Sequence, residues 1–548
     1  MSEIDGGRIA ARQLKAAGID TVFGVVAGPM IELFAGAQAE GLKVVGCRHE
    51  MNAAFMASAW GWVKRRPGVM IAGSGPAVTN CVTPLYVATE SAMPLLVLGG
   101  STYANTLGVG GFQEADQLAF TKPACKWTGQ VDRAERIGEW LHLALGRAEQ
   151  GRPGGVYLDF PGHYVARRIA EEMAPLRERA PEVTRAYPDP GAIDRMADLL
   201  ASAERPLVVV GKGAAWCDAG PVLARLVARG IPYVTSPMAR GTLPDDDRHF
   251  VNAARSAALT GADAILMVGA RFNWIFGFGR PPRFATDVRI AQIDIEPEEF
   301  NSAANVELGV AADAAVAVAA LCEALDGREI TSAGGGWVTG LQRKREQNEA
   351  KLAQLLNSDA VPIHPYRVVK EVRDVVPRDA TLTSEGETIM GICRAVLPSH
   401  RNRACFNAGT TGCMGTGVGY AVGAALAAPE HPSVAVVGDY AFGASVMAVE
   451  TAARVGAKVV FVVVNNEGIA GHMIQDHMLP AGAPRIASLL PAHYEKIAEM
   501  VDGHAERADR PEQIRPALER ALAADRVAVV HVRVDPKATR AGGANYLQ

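Results

Sequence analysis

Two short polar strings, Gly438-Asp439-Tyr440 and Asn465-Asn466-Glu467-Gly468, close the apolar runs SVAVV and KVVFVVV of a 548-residue chain. Mg²⁺ is commonly held by a carboxylate, by amide or backbone carbonyls and by phosphate oxygens. Asp439 and Asn466 supply the first two, and the backbone carbonyl of Gly468 is a candidate third ligand. The segment reads as strand, tight turn, helix, strand. A helix expected to start near Ala444 would aim unpaired N–H groups at an anion in the crevice at the C-terminal strand ends. A diphosphate with Mg²⁺ suits that place. Taken singly, each string also suits an ordinary turn or strand terminus. It is their joint spacing, with 24 residues from Ala441 to Val464 between them, that points to a shared ligand.

This pattern resembles the signature of the thiamin-diphosphate enzymes, Gly-Asp-Gly followed at a similar distance by Asn-Asn. Tyr440 replaces the third glycine; Asp439 and the backbone are what must reach metal and phosphates. The resemblance implies cofactor contacts from Gly438, Asp439, Tyr440, Ala441, Asn466, Gly468 and Ile469, with Asp439, Asn466 and Gly468 on the metal. The string RHEMNAAFMASAWG resembles the context of the family's activating glutamate, which gives Glu50. By that resemblance Glu50 bonds to N1′ of the aminopyrimidine and promotes loss of the thiazolium proton, a task for a positioned carboxyl. A lone glutamate there also suits a helix cap. NAGTTGCMGTGVGYAVGAALA resembles the segment that wedges a large apolar side chain between the cofactor rings, which gives Met414, with the Gly412 carbonyl accepting from N4′.

The elements that must position these residues follow from the apolar pattern. Runs of four to eight apolar residues ending at Gly, Ser or Asn alternate with helical periodicity, predicting an α/β protein of three domains, each with a mainly parallel sheet flanked by helices. The predicted division is 1–165, a linker at 166–190, 191–325, a second linker at 326–360, 361–534, and a polar tail at 535–548 that could close over the site. By the resemblance the first domain holds the pyrimidine, the middle one a nucleotide or coenzyme A, and the third the diphosphate and Mg²⁺. The first and third blocks could be related sheets. A hydrophobic fraction of 49%, a charged fraction of 21% and a net charge of −4 suit a soluble globular protein and give nucleic acid nothing to bind. The N-terminus carries charges throughout, and the longest apolar runs fall short of the ~18 residues that cross a bilayer. Eight scattered cysteines without a C-x-x-C pair read as free thiols of a cytoplasmic protein.

The strings VVGKGAAW, PMARGTLPDDDRHF, GARFNWIFGFGRPPRF and IAQIDIEPEEF closely resemble 2-hydroxyacyl-CoA lyases and, less closely, oxalyl-CoA decarboxylases. Lys212 and Arg271 are cations at strand ends, suited to a phosphate or to stacking on adenine; Asp294 ends a strand where it could hold ribose hydroxyls. Each also suits a solvent-facing position. The resemblance implies that Arg152, Lys212, Arg271, Asp294, Ile295 and Asp313 line a site for ADP or the adenine nucleotide of coenzyme A, with Arg401, Asn402 and Arg403 near coenzyme A phosphates. In the substrate pocket, Phe112-Gln113 matches the lyases where decarboxylases carry Tyr-Glu, making Gln113 a second catalytic candidate. Ala27-Gly28 stands where relatives have Gly-Ile, which leaves room for a branched acyl carbon, and Glu387-Thr388 replaces Ala-Asn. For the base that takes the 2-hydroxyl proton, His472, His477, Glu467 and His493 are candidates, none singled out. The expected reaction is cleavage of a 2-hydroxyacyl-CoA, such as 2-hydroxyisobutyryl-CoA, to formyl-CoA and a ketone or aldehyde, reversible as a condensation. Oxalyl-CoA decarboxylation, an acetolactate-synthase-like carboligation and a regulatory nucleotide-binding role are the alternatives. The resemblance also implies a homo-oligomer, dimer or tetramer, with the cofactor between subunits.

Overall fold

Strands such as PLVVV and VVFVVVN are buried along their whole length, as expected where helices cover both faces of a parallel sheet. A computed structural model describes residues 2–177, 183–469, 479–484 and 486–541. The strand β1 (Glu3–Asp5) pairs antiparallel with β8 (Arg168–Ala170). Between them lie β2 (Thr21–Gly24), β3 (Lys43–Gly46), β4 (Gly68–Ala72), β5 (Leu95–Ser101), β6 (Trp127–Gln130) and β7 (Gly155–Pro161), which form a parallel sheet in the order β3-β2-β4-β5-β7-β6. The middle sheet contains β9 (Pro206–Val210), β10 (Tyr233–Thr235), β11 (Ala264–Val268), β12 (Arg289–Asp294) and β13 (Leu308–Ala311), in the order β10-β9-β11-β12-β13. The third contains β14 (Thr381–Glu385), β15 (Cys405–Asn407), β16 (Ser433–Gly438), β17 (Val459–Asn465), β18 (His504–Ala508) and β19 (Ala528–Arg533), in the order β15-β14-β16-β17-β19-β18.

The first and third sheets share one topology. In each, the second strand lies outside the first, the third lies on its other side, and the last two exchange places. Each sheet therefore reverses direction beside its first strand, and ligands of open parallel sheets bind at the C-terminal strand ends at such a reversal.

Two stretches expected to be linkers carry packed structure. Within 166–190, β8 is held by its ladder to β1. Within 326–360, the helix Trp337–Lys351 is docked on the middle sheet, the Trp337 indole donating to the Pro206 carbonyl and Arg345 to that of Phe250. Among the described residues no helix is long and apolar enough to cross a membrane, and all eight cysteines are unpaired.

The first and third sheets are joined by the helices that follow their second strands, Glu50–Lys64 and Thr416–Ala427. The latter, TGVGYAVGAALA, has three glycines and three β-branched residues that weaken its helix propensity despite four alanines, and nearly all of it is buried. Its small residues let the partner backbone approach: a Cβ on Gly423 would lie 2.1 Å from the Met56 carbonyl oxygen, and one on Gly419 2.8 Å from the Phe55 Cβ. The Phe55 and Tyr420 rings meet edge-on at 5.6 Å. Met51 faces Gly415 and Met56 faces Gly423, so both helices start from the same end. Gly423→Val forces side chain against main chain, and overpacking of this kind should lower stability in urea by about 2 kcal/mol or more; an unchanged midpoint would refute this account of the joint.

Candidate functional site

Three adjacent strands of the third sheet end side by side: β14 at Glu385, β16 at Gly438 and β17 at Asn465. Their ends floor a cavity of about 1100 Å³, lined by Glu387, Thr388, Gly412, Met414, Gly438, Asp439, Tyr440, Ala441, Asn466, Gly468 and Ile469. Trp274, Phe278, Arg280 and Arg283 of the middle domain form its far wall. The helix expected near Ala444 is instead two short ones, Asp439–Gly443 and Ala448–Arg454. Gly438 stays extended and the first turn begins on Asp439 itself. The residues between the two helices are drawn to the Met414 loop, where the Ser445 hydroxyl donates to the Gly415 carbonyl at 2.7 Å.

The candidate metal ligands converge. The Gly468 N–H donates to Asp439 Oδ2 at 3.0 Å. The inner atom of the Asn466 amide lies 2.9 Å from the Gly468 carbonyl oxygen and 3.1 Å from Asp439 Oδ1. With nitrogen turned inward the amide donates to both. With oxygen inward it completes three hard oxygens around one point, an arrangement that repels itself unless a cation lies between them. The donor set fits Mg²⁺ on chemistry as well as geometry. Asp439 is buried, which pushes its carboxyl up to about 6 against the pull of the Tyr440 and Gly468 N–H groups.

A functional residue that the sequence reading missed is Glu385. It is 1% exposed and accepts from the N–H groups of Gly415, Thr416 (3.1 Å) and Gly417 (2.6 Å), the first turn of the helix that follows Met414. Burial pushes its carboxyl up to about 7 in opposition to these three donors. It braces the loop that carries Gly412 and Met414. Its only sequence signal was an acid closing the run TLTS, the appearance of any strand terminus.

The first-sheet candidates do not line this cavity. Glu50 opens its helix and accepts from the Asn80 amide at 2.9 Å. Gln113, at φ +54°, accepts from the Ser74 hydroxyl at 2.7 Å. Its neighbour Phe112 is 83% exposed. Ala27 packs towards Gly73, and a Cβ built on Gly28 meets nothing within 4 Å. Of the candidate bases, Glu467 is paired with Arg533 at 2.9 Å and His493 with Glu495 at 2.9 Å, and neither lines the cavity. His472 and His477 lie outside the described residues. Glu387 does line it, 3.5 Å from Arg540 of the tail, whose Asp535 and Ala538 also reach the rim.

A second cavity of about 1100 Å³ opens at the strand ends of the middle sheet and brings together Arg152, Lys212, Arg271, Asp294, Ile295, Asp313 and Arg403. Arg401 and Asn402 do not line it. The Arg401 guanidinium reaches back to Asp379 and Thr381, and Asn402 donates to Ala215 and Asp218. The cations are half-buried and line the cavity. Lys212 is half-buried, its ammonium over the Trp62 ring at 4.1 Å and donating to the Ser91 and Ala92 carbonyls, and desolvation holds its pKa well below the usual range. Arg152 and Arg271 both donate to the Glu90 carbonyl, at 3.0 and 2.6 Å. Asp313 caps the helix Ala314–Ala324. Asp294 is buried, its carboxyl pushed up to about 6 by that burial.

Models of the thiamine pyrophosphate enzyme match the chain in three parts: the N-terminal TPP binding domain at residues 4–120, the central domain at 193–321 and the C-terminal TPP binding domain at 386–532. The chain is 34% identical to the 2-hydroxyacyl-CoA lyase of Arabidopsis thaliana, over 98% of its own length and 97% of the relative's. It is 32% identical to 2-hydroxyacyl-CoA lyase 1 of Homo sapiens, over 98% and 96%. With the oxalyl-CoA decarboxylase of Escherichia coli the identity is 33%, over 98% and 96%.

A cation needs Asp439 ionised, and its carboxyl titrates near 6. Mg²⁺ affinity, measured calorimetrically, should therefore be level above that pH and fall by about tenfold per unit below it. A flat profile down to pH 5 would remove Asp439 from the ligand set.

Proposed function

Because the chain belongs to the thiamine pyrophosphate enzyme family, we propose that it cleaves a 2-hydroxyacyl-CoA into formyl-CoA and a ketone or aldehyde, with Mg²⁺ held by Asp439, Asn466 and Gly468. The relatives named above divide between lyase and decarboxylase at 32 to 34% identity, so overall similarity does not choose between them. Gln113 carries the choice. Its amide is neutral, and its oxygen is already used by Ser74, which suits a neutral hydroxyacyl group.

Thiamin diphosphate, when bound, supplies the nucleophilic carbon and the electron sink for carbon–carbon cleavage. The protein's part is to hold and to exchange protons. Glu50 would hold the proton that sets the state of the pyrimidine, with the Asn80 amide donating to its other carboxylate oxygen. Met414, backed by the loop that Glu385 braces, would support the cofactor between its two rings, and Gly412 would offer its carbonyl. N–H groups at the starts of the turn Asp439–Gly443 and the helix Glu387–Val396, which line the cavity, would receive the diphosphate. Trp274 and Phe278 exclude water on the opposite side.

We assign the second cavity to the adenine nucleotide of coenzyme A or to ADP, with Asp294 on ribose and Arg271 and Arg403 near phosphates. The first-sheet candidates lie apart from the metal cavity, and Val26, Leu107, Val109 and Phe112 beside them are 58 to 83% exposed. Both facts support a homo-oligomer in which the first domain of one subunit completes the site of another. Eight unpaired cysteines suit the reducing cytoplasm.

The decisive measurement is product analysis with 2-hydroxyisobutyryl-CoA and oxalyl-CoA: formyl-CoA with acetone from the first supports the reading, whereas CO₂ from the second alone would replace it with a decarboxylase. The open space at Gly28 predicts that Gly28→Ile lowers kcat/KM for the branched substrate by at least about tenfold relative to a straight-chain one. Glu50→Gln should lower kcat by about a hundredfold or more while cofactor binding is retained; full turnover would dismiss Glu50.

A further inference from the structure

The turn that offers Asn466 and Gly468 to the metal is not relaxed. Glu467, between them, sits at φ +60°, in the left-handed region that a residue with a Cβ enters at a cost and keeps only where its surroundings hold it. Three groups hold it here. Its N–H donates to Asn465 Oδ1 at 2.9 Å, its carbonyl accepts from Leu489 N at 2.8 Å, and its carboxylate accepts from Arg533 at 2.9 Å. The first of these depends on which way the Asn465 amide faces.

That orientation is set inside the sheet. Asn465 ends β17, and His531 lies on the adjacent β19, two residues before Arg533, the residue directly across from Asn465. Asn465 Nδ2 is 3.0 Å from His531 Nε2, and His531 Nδ1 is 2.6 Å from Glu495 Oε2. All three side chains are buried, His531 completely. Only one assignment satisfies every member. Glu495 is a carboxylate and accepts, so Nδ1 carries the hydrogen. Nε2 then offers a lone pair, the Asn465 amide turns its NH₂ towards it, and the amide oxygen is left for Glu467. In the other tautomer an N–H would face an NH₂, and the amide could recover only by rotating its oxygen away from Glu467. Burial lowers the His531 pKa despite Glu495, consistent with a neutral ring. Tyr494 packs edge-on against the imidazole at 5.6 Å and against Phe442, in the Asp439 turn, at 5.9 Å, so the ring has little room to move. At the outer end, His493 sits on the other Glu495 oxygen at 2.9 Å.

We propose that Glu495 and His531 are positioning residues for the metal site: they fix the Asn465 amide so that it holds Glu467 in its left-handed conformation and thereby presents Asn466 and Gly468 to the cation. The proposal rests on the metal assignment made above. Groups that orient metal ligands without touching the metal can matter nearly as much as the ligands themselves.

The test is calorimetric titration of Mg²⁺ into protein saturated with thiamin diphosphate, alongside melting temperatures of the apoprotein and the loaded protein. Glu495→Ala and His531→Leu should each raise the Mg²⁺ Kd by about tenfold or more. Glu495→Gln, whose amide oxygen still accepts from Nδ1, should stay near the parent, and His531→Gln, which keeps an acceptor near Nε2, should recover part of the loss. Should His531→Leu fail to fold, Glu495→Ala, at the outer end of the chain of bonds, carries the test. A Kd within about twofold of the parent in the folded Ala and Leu variants, with apoprotein and loaded protein destabilised equally, makes the network merely structural and overturns the proposal. A parent that binds no Mg²⁺ overturns the metal assignment and the relay together.

Discussion

The contact on which the rest of the structure depends is the close approach of the helices Glu50–Lys64 and Thr416–Ala427. It brings the first and third sheets into one body, and it does so with main chain almost on main chain, because Gly419 and Gly423 present no side chain. The helix that permits this is a poor helix by propensity, and tertiary burial must supply what local preference does not. Its N-terminus is then a stretch of glycines with unpaired N–H groups deep in the protein. Glu385 satisfies three of them, and the loop before them carries Met414. A packing solution at one end of the helix thus dictates a buried carboxylate at the other.

Charge is managed differently at the two cavities. At the middle cavity, Arg152 of the first domain and Arg271 of the middle one donate to the Glu90 carbonyl, and Lys212 of the middle domain donates to those of Ser91 and Ala92. Lys212 and Arg271 tie the middle domain to the first while facing a cavity, so an anionic ligand there engages groups that already hold two domains together. In the third domain the described polar lining near the candidate metal ligands is chiefly oxygen and main-chain N–H, which suits a cation and its diphosphate more than a diphosphate alone.

Much of this was legible in the sequence. The buried strands show as unbroken apolar runs, and Asp439 and Asn466 declared themselves by their type and spacing at strand ends. Two of the edge strands were not legible: β6, WTGQ, and β18, HAERA, are only half covered and lack the apolar run that marks an interior strand. The helix predicted near Ala444 was displaced because Ser445 answers to Gly415 in another segment, which no local window contains. Glu385 and His531 were invisible for the same reason. Each acts through a partner that strand pairing or helix packing brings close, so the residue type alone carried no hint of the role.

The helix joint also bears on synthesis. Eleven residues of Glu50–Lys64 are buried in the finished protein, in part by a partner that lies some 350 residues further along the chain, roughly 20 to 70 s later at ordinary rates of translation. For that interval the emerging first domain carries an apolar strip with nothing of its own to cover it. A nascent chain of this design must rely on a chaperone, on a temporary packing of the first domain, or on a neighbour's third domain already made, and crowding on one messenger would then favour assembly between copies over collapse within one.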